Sequence, residues 1–200
     1  MLYNILMTIS KVILKPLLRI KVDGLENLKE NDKIIVCANH KSFLDPVLLA
    51  IVLPRKINFM AKKELFDKPL VSKFLRSLGA FPVDRFAFDM KSLRHSLKLI
   101  KEDKVLGVFP EGTRVKEANR EKVKDGLAYL AIKGKADILP VEIISTYRPF
   151  KQTYIYINEI IKVDDYLSMK NKDAMKKMTD KVYERIYENH TVIESENKWK

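Results

Sequence analysis

The stretch Ile34-Ile35-Val36-Cys37-Ala38-Asn39-His40-Lys41-Ser42-Phe43-Leu44-Asp45-Pro46 decides how this chain is read. Its first five residues are apolar and rich in β-branched types, the length and composition of a short buried strand. A polar loop follows, carrying a histidine and, five residues on, an aspartate. An acid at the N-cap and a proline at the first helical position predict a helix start at Asp45-Pro46. That helix should run through the apolar Val47–Leu53 and stop at Pro54. His40 is then expected at a strand's carboxyl end and Asp45 at the mouth of the next helix. There the carboxylate can reach back to one imidazole nitrogen, leaving the other to take a proton from a hydroxyl. The plainer alternative is a helix cap beside an ordinary loop histidine.

Working outward, the same alternation recurs. Ile20 to Leu28 reads as a strand and a turn around Gly24. Ile57–Ala61, Ala80–Val83, Val105–Phe109, Ile138–Ile144 and Tyr154–Ile157 read as further strands, the last alternating and so half exposed. Between them Pro69–Leu78 is a helix closed by Gly79, Asp89–Asp103 is an amphipathic helix, and Asp125–Lys133 is a helix closed by Gly134. Val115–Lys124 is highly charged and reads as a loop. Asp173–Asn189 is a final helix with Met175, Met178, Val182 and Ile186 inward. This order predicts one α/β domain over residues 21–190, with a mixed, mostly parallel sheet flanked by helices. Residues 191–200 read as a polar tail, with Trp199 in it.

Residues 1–20 are different. Asn4, Thr8, Lys11, Lys15 and Arg19 form one polar stripe at helical spacing, and nearly everything else is apolar. Three cations and Pro16 argue against a spanning helix, and nothing resembles a secretory cleavage site. Leu at position 2 excludes N-myristoylation. The pattern predicts an amphipathic helix lying in a membrane interface and ended or kinked by Pro16. A helix packed on the domain's own core is the alternative.

At 200 residues, 46% apolar and 32% charged, the chain has the makings of a folded domain rather than a disordered one. Cys37 is the single cysteine, so no internal disulfide can form. No His/Cys clusters stand at zinc spacing. The net charge of +12 is uneven: residues 1–100 hold 18 Lys/Arg against 9 Asp/Glu, and the second half is nearly balanced. A basic first half attracts anions such as anionic lipid or phosphorylated substrates. Nucleic acid is disfavoured, because aromatic residues do not interleave with the basic ones as a stacking surface requires.

Several expected strands end in polar clusters: Asn39-His40, Lys62, Asp84-Arg85 and Glu111-Gly112-Thr113-Arg114. Ligands bind at the carboxyl ends of strands in open α/β sheets. A base, planar guanidinium forks and a turn glycine could thus meet on one edge. These blocks, in this order, resemble the glycerolipid acyltransferase family. Asn39-His40 through Asp45 is similar to its Asn-His-x-x-x-x-Asp block, and Gly79-Ala80-Phe81-Pro82-Val83-Asp84-Arg85 to its second. Phe109-Pro110-Glu111-Gly112-Thr113-Arg114 matches its third, and Leu139-Pro140-Val141 resembles its fourth. Lys62-Lys63-Glu64-Leu65 resembles the Lys-x-Glu-Leu between the first two. Val115 departs from the family's usual Ser.

The resemblance implies direct acyl transfer from a thioester, acyl-CoA or acyl carrier protein, to the sn-2 hydroxyl of 1-acyl-sn-glycerol 3-phosphate, giving phosphatidate. His40 would be the general base and Asp45 would fix its tautomer. Lys62, Arg85 and Arg114 would hold the phosphate, with Glu111, Gly112 and Thr113 completing the substrate site. Backbone N–H groups near Asp45-Pro46 or the Gly112 turn would stabilise the oxyanion. No metal or bound cofactor is expected. A lysophospholipid acceptor places the enzyme on an anionic membrane surface, at the cytoplasmic face of the cell membrane. Glycerol 3-phosphate or another lysolipid is the alternative acceptor. A thioesterase and a non-enzymatic basic binding protein are the rival classes. Ser42, which lacks a nucleophile elbow, and Cys37, inside an apolar strand, are poor nucleophile candidates.

Overall fold

The structure, a computed structural model, describes residues 2–28, 33–84 and 89–190. Arg85 and the tail with Trp199 lie outside the described residues. Seven strands make one sheet: β1 (Ile20–Asp23), β2 (Ile34–Ala38), β3 (Ile57–Lys62), β4 (Phe81–Val83), β5 (Val105–Val108), β6 (Asp137–Ser145) and β7 (Thr153–Ile157). Their spatial order is β1-β7-β6-β2-β5-β3-β4. Every neighbouring pair is parallel except β6 and β7. The helices are α1 (Leu2–Leu17), α2 (Asp45–Val52), α3 (Pro69–Ser77), α4 (Met90–Lys101), α5 (Gly126–Gly134), α6 (Asp164–Leu167) and α7 (Asn171–Ile186).

The central strand explains the architecture. All five residues of β2 are buried, because it lies between β6 and β5 and helices cover both faces. With side chains alternating along the strand, Ile34, Val36 and Ala38 pack with Leu48 and Leu49 of α2 on one face. Ile35 and Cys37 pack with Leu127 and Leu130 of α5 and Met178 of α7 on the other. Gly107 in β5 lets the sheet close here: a Cβ at that position would lie 2.5 Å from the Phe59 ring. Pro140 is tolerated inside β6 because pairing with β7 begins only at Val141, where Pro140's missing N–H is past.

The α/β organisation agrees with the sequence reading, and the differences are local. The charged 115–124 segment contains one 3-10 turn, Arg120–Lys122, capped by the Asn119 side chain on the Glu121 N–H. The four-residue α6 carries no apolar periodicity and was not expected. The last helix ends at Ile186, short of Asn189, and the following residues turn back toward the β2–α2 loop. Tyr154 and Tyr156 alternate with buried neighbours in β7, as the pattern required.

α1 carries Pro16 in its last turn and stops at Leu17. Met7 and Leu14 pack on the core. Asn4, Thr8, Lys11 and Lys15 form the exposed polar stripe. A third face, Ile5, Ile9, Val12 and Ile13, is apolar and exposed. The helix therefore docks on its own domain with one side and presents an apolar ridge with another.

Candidate active site

β2 ends at Ala38, and the next side chain anchors the site. Asn39 is buried and bridges to β6, its amide donating to the Ile143 carbonyl (2.9 Å) and its oxygen accepting from the Ile143 N–H (2.7 Å). His40 follows with its backbone held on both sides. Its N–H donates to Glu111 Oε2 (2.8 Å), and its carbonyl accepts from the Val115 N–H (2.8 Å). Val115 is itself buried, so an apolar side chain suits the position. The imidazole stacks on Phe109, with ring centroids 4.1 Å apart, and its Nδ1 lies 2.9 Å from Asp45 Oδ2.

Asp45 is wholly buried, which for a carboxylate demands partners. The same Oδ2 accepts from the N–H groups of Lys41 (2.8 Å) and Ser42 (2.7 Å), and Oδ1 accepts from the Tyr147 hydroxyl (2.7 Å). Asp45 stands inside the first turn of α2, with Leu44 as the N-cap, so the expected cap is a correction. Its carboxylate folds back over the histidine loop because that loop's amides point at it. With Nδ1 engaged, Nε2 is the nitrogen that can face a substrate. The hydroxyl of Ser42 accepts from the Leu44 N–H, and burial pushes the Cys37 thiol up.

Two buried acids lie below the loop. Burial raises Glu111 to about 7, against the lowering pull of the Tyr187 hydroxyl and the His40 N–H. Burial likewise raises Glu142 to about 7, opposed by Asn189, whose N–H donates to it at 2.7 Å. Both ionise near 4.5 in the unfolded chain. Between these values the native state keeps protons that the unfolded state has lost. Their contribution is present below 4.5 and is lost as pH rises through about 7, by up to ~3 kcal/mol per group. Urea midpoints should therefore fall from pH 5 to 7.5. Glu142→Gln should flatten the fall, and an unchanged slope in that variant would contradict the assignment.

Beside His40 is an apolar cavity of about 450 Å³. Lys62, Phe43 and Arg114 line it together with the histidine, and Tyr3, Ala50 and Leu78 line it as well. Tyr3 lies under the Lys56 ammonium, next to the start of β3, so the cavity extends along the strands away from His40. The Arg114 guanidinium stands 3.6 Å over the Phe43 ring, and the Lys62 ammonium is 3.6 Å from Glu64. A second cavity, about 340 Å³, lies on the α4/α5 side, with Asp84, Gly112 and Lys124 on its wall. Met60 and Phe109 border both.

The structure thus brings His40, Asp45, Lys62 and Arg114 together. Gly112, in a left-handed turn (φ 69°), lines the second cavity. Thr113 is exposed and lines neither cavity, and Glu111 is engaged with His40 and Tyr187 beneath the loop. Near the Asp45-Pro46 helix start and the Gly112 turn, the amides of Lys41 and Ser42 are committed to Asp45, that of Asp45 to the Ser42 carbonyl and that of Gly112 to the Phe109 carbonyl. Tyr147 and Tyr187 escaped the sequence reading, since each lies far along the chain in a segment without a motif.

A carboxylate-held base at an apolar cavity, flanked by two cations, can bring an anionic hydroxyl compound to a long-chain acyl group. A family model described as Acyltransferase matches residues 19–144, and the chain belongs to the acyltransferase family. The chain is similar to the 1-acyl-sn-glycerol-3-phosphate acyltransferase of Bacillus subtilis, 33% identical over 89% of this chain and 92% of the relative. The enzyme of that name from Streptococcus pneumoniae is 36% identical over 60% of this chain, but this match spans only 44% of the relative's length. Among solved structures, the 1-acyl-sn-glycerophosphate (LPA) acyltransferase PlsC of Thermotoga maritima superposes with a TM-score of 0.68 at 26% identity. That match covers 92% of this chain and 76% of the other.

Proposed function

We propose that this enzyme transfers a fatty acyl group from a thioester to the sn-2 hydroxyl of 1-acyl-sn-glycerol 3-phosphate, releasing the carrier thiol and phosphatidate. The observation that carries the reading is the His40–Asp45 pair opening onto an apolar cavity beside Lys62 and Arg114. His40 Nε2 takes the proton of the acceptor hydroxyl as its oxygen attacks the thioester carbonyl. Asp45 stabilises the imidazolium that forms, and the proton passes from it to the departing thiolate. Lys62 and Arg114, with Arg85, hold the acceptor's phosphate, Arg114 as a planar fork and Lys62 as a point charge. Glu111 serves by fixing the His40 backbone, and the Gly112-Thr113 turn sets where Arg114 starts. The apolar cavity takes the donor's acyl chain, with Tyr3, Ala50 and Leu78 limiting its depth.

A lipid acceptor brings the enzyme to the cytoplasmic face of a membrane. Among the described residues no helix is long and apolar enough to cross one. Contact is instead made by the apolar ridge of α1 and by α3, where Leu70 is 84% exposed, Val71 and Phe74 lie beside it, and Lys68, Lys73 and Arg76 flank them. Apolar side chains bordered by cations suit an anionic leaflet.

Incubating the protein with labelled acyl-CoA, with and without lysophosphatidate, is expected to give labelled phosphatidate only when the acceptor is present. No product from either acyl-CoA or acyl carrier protein thioester would overturn the reading. Thioester hydrolysis indifferent to lysophosphatidate would assign a thioesterase in its place.

A further inference from the structure

We infer that Tyr147 is a positioning residue of the acyl-transfer centre, acting through Asp45 on the basicity and orientation of His40. This inference rests on the His40–Asp45 pair being the proposed base, and it adds a third member drawn from beyond the segment matched by the family model.

Three observations carry it. First, the Tyr147 hydroxyl donates to Asp45 Oδ1 at 2.7 Å, and Oδ1 is the carboxylate oxygen that neither His40 nor the loop amides occupy. Second, Tyr147 sits at φ 57°, a left-handed conformation that non-glycine residues avoid unless their surroundings impose it. Third, that backbone is pinned: the Tyr147 N–H donates to Ser145 Oγ (2.9 Å), which in turn contacts Thr153 Oγ1 of β7 (2.7 Å). Thr146, Arg148, Pro149 and Phe150 around it are exposed. One residue of an otherwise solvent-facing connection is thus turned inward, at the cost of backbone strain, onto the carboxylate that holds the base.

The chemistry gives that bond a purpose. A buried carboxylate with one oxygen unpaired is a stronger base than one with both satisfied. Burial, with Asp45 beside it, pushes the Tyr147 hydroxyl well above its ordinary range, so it stays a donor through the working pH. It holds Asp45 in the plane that presents Oδ2 to His40, and it moderates the pull of the carboxylate on the imidazole proton. Without it, Asp45 would pull harder on the Nδ1 proton and would be free to turn out of the plane that orients the imidazole.

Tyr147→Phe tests this. The ring and its packing remain, and the hydroxyl alone is lost. Lys41, Glu111, Lys62 and Arg114 also face this loop, with Tyr187 behind Glu111 and with His190 and Glu142 behind Lys41, and none of them is altered. The expected result is a kcat lowered about tenfold near neutral pH. The acid limb of kcat/KM should move to higher pH by about half a unit. KM for lysophosphatidate should be unchanged, since Tyr147 lines neither cavity. The His40 Nδ1–H proton resonance, followed by NMR without substrate, should move downfield as the carboxylate pulls harder on that proton. This second readout does not depend on which reaction the enzyme catalyses, so it separates this inference from the assignment of function. A variant that loses activity equally at all pH values, with an unmoved Nδ1–H resonance, would make Tyr147 merely structural and overturn the inference. Wild-type kinetics would overturn it too.

Discussion

Replacing His40 by Ala is expected to lower kcat for acyl transfer to lysophosphatidate by about 10³-fold, with KM for the acceptor little changed. The glycerol hydroxyl is a poor nucleophile until its proton is removed, and His40 combines access to the cavity with a fixed orientation. The substitution should leave the fold intact. The loop is tied by the His40 backbone, through Glu111 and Val115, and these bonds survive in alanine. What is lost is the ring stacked on Phe109 and its hydrogen bond to Asp45. The Asp45 carboxylate keeps three other donors, so it does not become an unpaired buried charge. Initial rates with labelled acyl-CoA decide the matter. A variant within tenfold of wild type would remove His40 from the mechanism, and with it the carrying observation.

The second large effect is expected at Arg114. Arg114→Ala should raise KM for lysophosphatidate by about 10- to 100-fold, the range for losing charged hydrogen bonds to a phosphate. Arg114 stands over the exposed Phe43 ring at the cavity rim, and among the described residues no carboxylate is paired with it. Its charge is thus available to an incoming anion. Arg114→Lys should recover only part of the loss, because an ammonium cannot reproduce the planar fork. Lys62→Ala should cost less, since Glu64 already shares that charge. The control is a monoacylglycerol of the same chain, which lacks the phosphate. Its slow acylation should be the same in wild type and Arg114→Ala. An equal loss on both acceptors would mean that Arg114 supports the cavity rather than the phosphate.

Much of the fold could be read from local chemistry. The apolar run Ile34–Ala38, the proline starts of α2 and α3 and the glycine ends are signals carried by neighbouring residues. A helix or strand that follows such signals forms where they stand. The boundaries that moved are those where local signals are weak or are overruled. The final helix stops early because Asn189 and His190 are drawn to Glu142 and Lys41. α6 is a single turn with no periodicity to announce it. The apolar surface of α1 could be read in sequence as facing a membrane or the core, but not divided between the two, because an apolar residue looks the same whether it packs on the core or faces out. Only the docking of Met7 and Leu14 separates the two faces.

The same division runs through the site. By itself the sequence determined the α/β class, the order of the chemical blocks and the pairing of His40 with Asp45, which needs only five residues of loop. The tertiary structure alone decided which blocks meet. β2 and β5 are neighbours though some 70 residues apart, and this sets Phe109 against the His40 ring and Glu111 under its backbone. It also folds the connection after β6 onto Asp45, 102 residues away, and brings Tyr187 to Glu111. Such contacts follow from the order in which strands join a sheet. That order is settled by burying both faces of β2 at once, and no local spacing along the chain records it.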